Sequence, residues 1–176
     1  MKKKKSFLMI SSFFIFFVYS CRGEELKKDF FAGYGFAKTE SYKSYRFQTI
    51  LIDFTRPVEG IKNLFFQIEP GISYVSSPSD NFEINLSFFA FYRFFQGNFH
   101  PYIKIGTGII YLSTDFIEQS THFNFATSLG LGFKFNFEKF SIYTEGRFRH
   151  ISNAGMKLPN QGINSRILLI GLGYNF

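Results

Sequence analysis

Sixteen consecutive residues of this chain alternate without a slip. Phe123, Phe125, Thr127, Leu129, Leu131, Phe133, Phe135 and Phe137 fall on one parity, while His122, Asn124, Ala126, Ser128, Gly130, Gly132, Lys134 and Asn136 fall on the other. An extended chain turns successive side chains to opposite faces, so the segment has one large apolar face and one small or polar face. It is about three times the length of an ordinary strand. A helix would scatter the same side chains around its circumference.

The pattern recurs. Phe82, Ile84, Leu86, Phe88, Ala90, Tyr92 and Phe94 oppose Glu83, Asn85, Ser87 and Arg93, with Phe89, Phe91 and Phe95 blurring the contrast. Ile103, Ile105, Ile109 and Tyr111 oppose Lys104, Gly106 and Gly108; Leu168, Ile170, Leu172, Tyr174 and Phe176 oppose Gly171, Gly173 and Asn175. Less regular segments at 30–38, 45–56, 63–75 and 140–152 bring the expected number of strands to eight. From Phe30 onward no apolar run is long enough for a transmembrane helix, which needs about 20 residues.

Eight long strands, each greasy on one side, describe an all-β, eight-stranded antiparallel up-and-down barrel. If the greasy side faces outward, the barrel is a transmembrane one of the outer-membrane type, ending in an aromatic residue, here Phe176. If it faces inward, the barrel is a soluble lipocalin-like binder with a ligand cavity. Strand length, the terminal Phe, and Glu145, Arg147 and Arg149 on the non-greasy parity favour the transmembrane form. The 28 Phe and 10 Tyr exceed what a soluble core of this size needs, and a lipid-facing outer wall accounts for the excess.

The formal net charge of +7 invites a nucleic-acid reading until it is located. Lys2, Lys3, Lys4 and Lys5 precede the apolar run Phe7 to Tyr19, the layout of an export signal cleaved after Ser20. Removing residues 1–20 leaves 16 basic and 13 acidic side chains, so little basic excess remains to bind phosphate backbones. The mature chain, 21–176, is a single domain. Cys21, its first residue, is a candidate for lipidation in the manner of bacterial lipoproteins, and as the lone cysteine it excludes a disulfide framework.

With both termini on the periplasmic side, connections near 57–62, 96–100 and 137–139 are the tight turns. The longer segments 38–44, 76–81, 114–121 and 153–163 are the outer loops. The last outer loop carries the densest polar cluster: His150, Ser152 and Asn153, continuing to Asn160 and Asn164. His150 and Ser152 share the parity of Ile142 and Phe148, and Asn164 that of Leu168 and Leu172, all on the lipid side. Polar groups there cost desolvation unless they pair or sit at headgroup level. An imidazole can take the proton of a hydroxyl attacking an ester, with a third polar group fixing its tautomer, and Asn164 opens the adjacent strand. Interfacial strand ends account for the same residues without chemistry.

The string HISNAGMKLPNQGIN, followed by a glycine-punctuated last strand, resembles the outer-membrane lipid A 3-O-deacylase family, esterases that release an acyl chain from lipid A. The resemblance is strong over the last strand pair, looser over PYIKIGTGIIYLS, and general before Phe82. It implies Ser152 as nucleophile, His150 as general base, and Asn164 where the family commonly has a glutamate. That amide can orient the ring but brings no charge. Glu145 has the wrong parity to replace it. The resemblance also implies an oxyanion hole from Asn160 with Asn153 or a nearby backbone N–H. The implied partner is lipid A, or lipopolysaccharide, in the outer membrane, with no nucleic acid; the oligomeric state is left open. A non-catalytic barrel descended from the enzyme is the competing reading.

No cofactor is expected: the chain has no Walker loop, and Gly130 and Gly132 lie mid-strand. His100 and His122 have no ligand-spaced Cys or carboxylate, so no metal site is expected.

Overall fold

The structure is a computed structural model and describes residues 27–37, 44–95, 97–114 and 119–174. The expected export signal, Cys21 and Phe176 lie outside the described residues. Eight antiparallel strands follow one another around a closed barrel: β1 (Lys27–Ala37), β2 (Tyr45–Pro57), β3 (Leu64–Ser77), β4 (Asn81–Arg93), β5 (Phe99–Leu112), β6 (Phe123–Asn136), β7 (Phe140–Ser152) and β8 (Ile163–Tyr174). β8 pairs back onto β1, Phe36 opposite Arg166, so the sheet has no free edge.

Parity is read out as expected. On β6 and β7 the odd and even positions alternate strictly between the wall and the interior, with Phe133, Phe135, Phe140 and Phe148 exposed on the outside. A continuous apolar outer wall has no use in water and is what hydrocarbon requires. The lipocalin-like alternative fails on this point, because the large apolar side chains cover the outside.

Among the described residues, side chains fill the loop-end half and the centre of the interior. Toward the end that carries the longer loops it is packed by Tyr45, Phe47, Val75, Leu112, Ile151 and Ile163. Midway sits a fully buried charge network. Lys104 Nζ lies 3.0 Å from Glu69 and 3.2 Å from Glu145, and Arg147 bridges the same two carboxylates at 2.5 and 2.6 Å. Arg149 pairs with Glu83 at 2.9 Å, and Glu83 also accepts the Tyr45 hydroxyl. Removing one partner would leave the buried charges unbalanced, and at the Arg149–Glu83 pair it would leave a bare charge in a low-dielectric interior, at a cost of about 3–5 kcal/mol. Toward the turn end the barrel hollows into a cavity of about 600 Å³ lined by Asp29, Lys62, Arg93, Lys134 and Tyr143 among others.

Three details depart from the sequence reading. Phe89 and Phe91, which blur the β4 pattern, point inward; the space for Phe89 is left by Gly106, where a Cβ would overlap its ring. β8 begins at Ile163, one residue before the expected opening at Asn164, because Ile163, Ser165 and Ile167 continue the inward parity while Asn164 and Arg166 occupy outward positions normally apolar. The connection between β3 and β4 is only residues 78–80, since both strands extend further than their apolar cores suggest.

Candidate active site at the end of the last hairpin

The β7–β8 hairpin sets the geometry of the site. His150 is the direct cross-strand partner of Asn164, and on its other side it faces Thr127 of β6. Opposed residues on one face of a sheet bring their side chains together, and here His150 Nδ1 lies 2.8 Å from Asn164 Oδ1. An amide oxygen accepts only, so this bond places the proton on Nδ1 and leaves the Nε2 lone pair uncommitted. Ser152 is two residues further along the same outward face, a repeat of about 7 Å, opposite Phe125. Its hydroxyl has no hydrogen-bond partner among the described residues. The two groups are half-buried at the wall, neither sealed from lipid nor fully open.

Residues 153–162 fold tightly beyond the strand ends. Asn153 is fully buried and fastens the loop to itself: its Oδ1 accepts from Gly155 N–H at 2.9 Å and its Nδ2 donates to Lys157 O at 2.7 Å. The chain turns there through positive φ at Ala154 (54°) and Gly155 (75°). Asn153 N–H in turn donates to Asn160 Oδ1 at 2.9 Å. Fixing that oxygen fixes the amide plane, so the Asn160 Nδ2 hydrogens are aimed away from Asn153. Of the two asparagines singled out from the sequence, Asn153 spends its side chain on the loop and Asn160 keeps a donor in hand.

Two residues that the sequence did not single out belong to the same structure. Gly162 has φ of 80°, and a Cβ there would stand 2.6 Å from His150 Cε1. The imidazole therefore rests against bare backbone, and the one sequence clue was a glycine closing an Asn-rich turn. Gln119, from the loop before β6, is fully buried: it forms an isolated bridge with Asn160, and its Nε2 reaches Ile151 O at 3.4 Å. Ser120 Oγ reaches Pro159 O at 3.3 Å. One loop thus clasps the other, a contact no local pattern announces.

The remaining sequence candidates lie elsewhere. Glu145 is inside the barrel, bonded to Tyr102 at 2.9 Å and to the charge network, with the wall between it and His150. His100 Nδ1 lies 2.7 Å from Phe95 O and His122 Nδ1 2.8 Å from Leu112 O, both at connections.

A family profile described as lipid A 3-O-deacylase (PagL) matches residues 13–173, nearly the whole chain. The chain belongs to the lipid A 3-O-deacylase family. Among solved structures it is similar to the outer membrane enzyme PagL, with 22% identity, a TM-score of 0.65, and coverage of 80% of this chain and 97% of that one. Neisserial surface protein A is similar at 17% identity and a TM-score of 0.68, covering 86% and 97%. The N-terminal barrel of Pseudomonas aeruginosa OprF follows at 13% identity and a TM-score of 0.52, covering 85% and 97%. At such identities the three share the outer-membrane barrel fold. No curated protein sequence matches the chain. Membership of the deacylase family supports hydrolase chemistry on lipid A at the level of the family, and the residues that carry it here are a separate matter.

Proposed function

We propose that this deacylase-family barrel is a serine esterase that removes an ester-linked acyl chain from lipid A at the outer leaflet. The observation that carries the reading is the His150–Asn164 bond at 2.8 Å on the lipid-facing wall, which leaves Nε2 as a base beside Ser152. Lipid A lies against the wall with its ester level with the strand ends. Ser152 Oγ attacks the carbonyl carbon as His150 Nε2 takes its proton, and the carbonyl oxygen becomes an oxyanion. Asn160 Nδ2 donates to that oxyanion. The tetrahedral intermediate collapses, the proton passes from His150 to the departing sugar oxygen, and water, deprotonated by His150, then releases the fatty acid.

Asn164 sets the tautomer as a carboxylate would, but adds no negative charge against the imidazolium. The same substitution favours a second reading, a barrel that has lost the activity. Refolded protein incubated with lipid A, with mass spectrometry of the products, decides between them. Release of a 3-hydroxy fatty acid by the wild type and not by Ser152→Ala is expected; equal behaviour of the two would overturn the esterase reading. If the wild type is silent and Asn164→Glu is active, decay at the third position is the correct account.

A further inference from the structure

The outer wall is interrupted by charge at one place near the site. Along the loop-end half of the barrel, the only charged side chains at outward strand positions among the described residues are Arg46 on β2 and Arg166 on β8, both exposed. Neither has an ion-pair or hydrogen-bond partner among the described residues. They lie in one row. Arg46 is the cross-strand partner of Phe36, Phe36 of Arg166, and Arg166 of Phe148. Two interstrand steps separate the arginine Cα atoms by about 10 Å, well within the span of two long side chains. Arg166 is two residues below Asn164 on the same face, so the row runs directly beneath the His150–Asn164 pair.

Guanidinium groups on a hydrocarbon-facing wall are costly unless they reach the headgroup layer or meet an anion. The inward arginines of the adjoining β7 are met by opposite charge: Arg147 and Arg149 each have their carboxylates. In the loop-end half, among the described residues, these two outward strand charges face the medium that holds the substrate. A planar fork with no acceptor among the described residues matches a phosphate oxygen pair, and Phe36 between them offers a flat apolar rest for the sugar or the first methylenes of a chain.

We propose that Arg46 and Arg166 form a phosphate-binding site for the headgroup of the substrate glycolipid, holding a phosphate monoester so that the neighbouring acyl ester reaches Ser152. The proposal rests on the esterase reading above and deepens it. Charge attraction draws the lipid along the wall, and the two-point hold converts a laterally diffusing lipid into one with a fixed azimuth around the barrel. The ester is thereby delivered to β7 rather than to any other strand.

Steady-state kinetics on lipid A bearing its phosphates, and on the same lipid after phosphatase treatment, tests the assignment in one detergent. Arg166→Ala and Arg46→Ala should each lower kcat/KM on the phosphorylated lipid by roughly ten- to hundredfold, mainly through KM, and leave turnover of the dephosphorylated lipid unchanged. Arg166→Lys should retain part of the effect. An equal loss on both lipids, or no loss on either, overturns the proposal. Native mass spectrometry of Ser152→Ala with phosphorylated lipid A, dephosphorylated lipid A and phosphatidylglycerol supplies a readout independent of turnover. Arginine-dependent retention of phosphorylated lipid A alone is expected. Equal retention of phosphatidylglycerol would make the pair a general lipid belt and overturn the substrate assignment. Should the wild type hydrolyse nothing, the esterase reading falls, while this binding result still decides the phosphate site.

Discussion

The two faces of β7 contrast more sharply than any two ends of the molecule. Inward, Glu145, Arg147 and Arg149 are buried and each is met by opposite charge: Arg147 by Glu69 and Glu145, Arg149 by Glu83. Outward, toward the loop end of the same strand, His150 has one partner and the Ser152 hydroxyl has none among the described residues. A strand that meets each of its inner charges with an opposite one can leave outer polar groups open only where something else completes them. The inner face fixes the barrel's shape, and the outer face is left to meet a lipid.

That contrast predicts that substitutions on the two faces separate activity from stability. Ser152→Ala should show the largest effect, a loss of acyl release on the order of 10³-fold or more, about 4 kcal/mol of barrier. Its unfolding midpoint in urea and its heat-modifiable gel mobility should stay at wild-type values; a shifted midpoint would mean that Ser152 is structural. Arg147→Ala should do the reverse. Leaving Glu69 and Glu145 to share Lys104 as their one remaining buried cation should destabilise the barrel by about 3–5 kcal/mol, read as an earlier urea midpoint, with activity per folded molecule preserved. Paired loss of both quantities would abolish the division between faces.

A smaller effect is expected at Asn164. Asn164→Ala removes the acceptor that holds Nδ1–H and should lower kcat roughly a hundredfold, about 2.7 kcal/mol, with little change in KM. Asn164→Glu should exceed the wild type, since it keeps the acceptor and adds charge against the imidazolium; a rate below that of the wild type would show that the site is built for an amide. The smallest change belongs to Gln119. Gln119→Ala removes the side-chain bond to Ile151 O that anchors the loop bridging Asn160, and a fall of roughly tenfold in kcat with KM unchanged is expected from a displaced oxyanion donor. A drop in the unfolding midpoint without that kcat effect would assign Gln119 to loop stability alone.

Legibility in the sequence followed how strictly each face was filled. β6 could be read residue by residue because its outward positions are almost all Phe or Leu and its inward ones small or polar. β4 was harder, since a small barrel also needs aromatic filler: Phe89 and Phe91 are inward residues indistinguishable in kind from outward ones, and only Gly106 opposite Phe89 marks the difference. The first third of β8 was legible through parity, Asn164 sharing the face of Leu168 and Leu172, although Asn164 and Arg166 stand where apolar residues belong. The juxtaposition of His150 and Asn164 followed from hairpin register, whereas the Gln119–Asn160 bridge joins two loops and has no periodicity to reveal it.

Closure of the barrel divides the site by order of assembly. His150 and Asn164 belong to one hairpin, so their contact exists as soon as β7 and β8 zip together. The row Arg46–Phe36–Arg166 crosses the junction of the first and last strands, and it comes into being only when the chain's two ends meet. A barrel still open at that junction would hold the imidazole and its amide with the two guanidiniums on separate edges. Completing the circle is therefore also what makes the wall selective for its lipid.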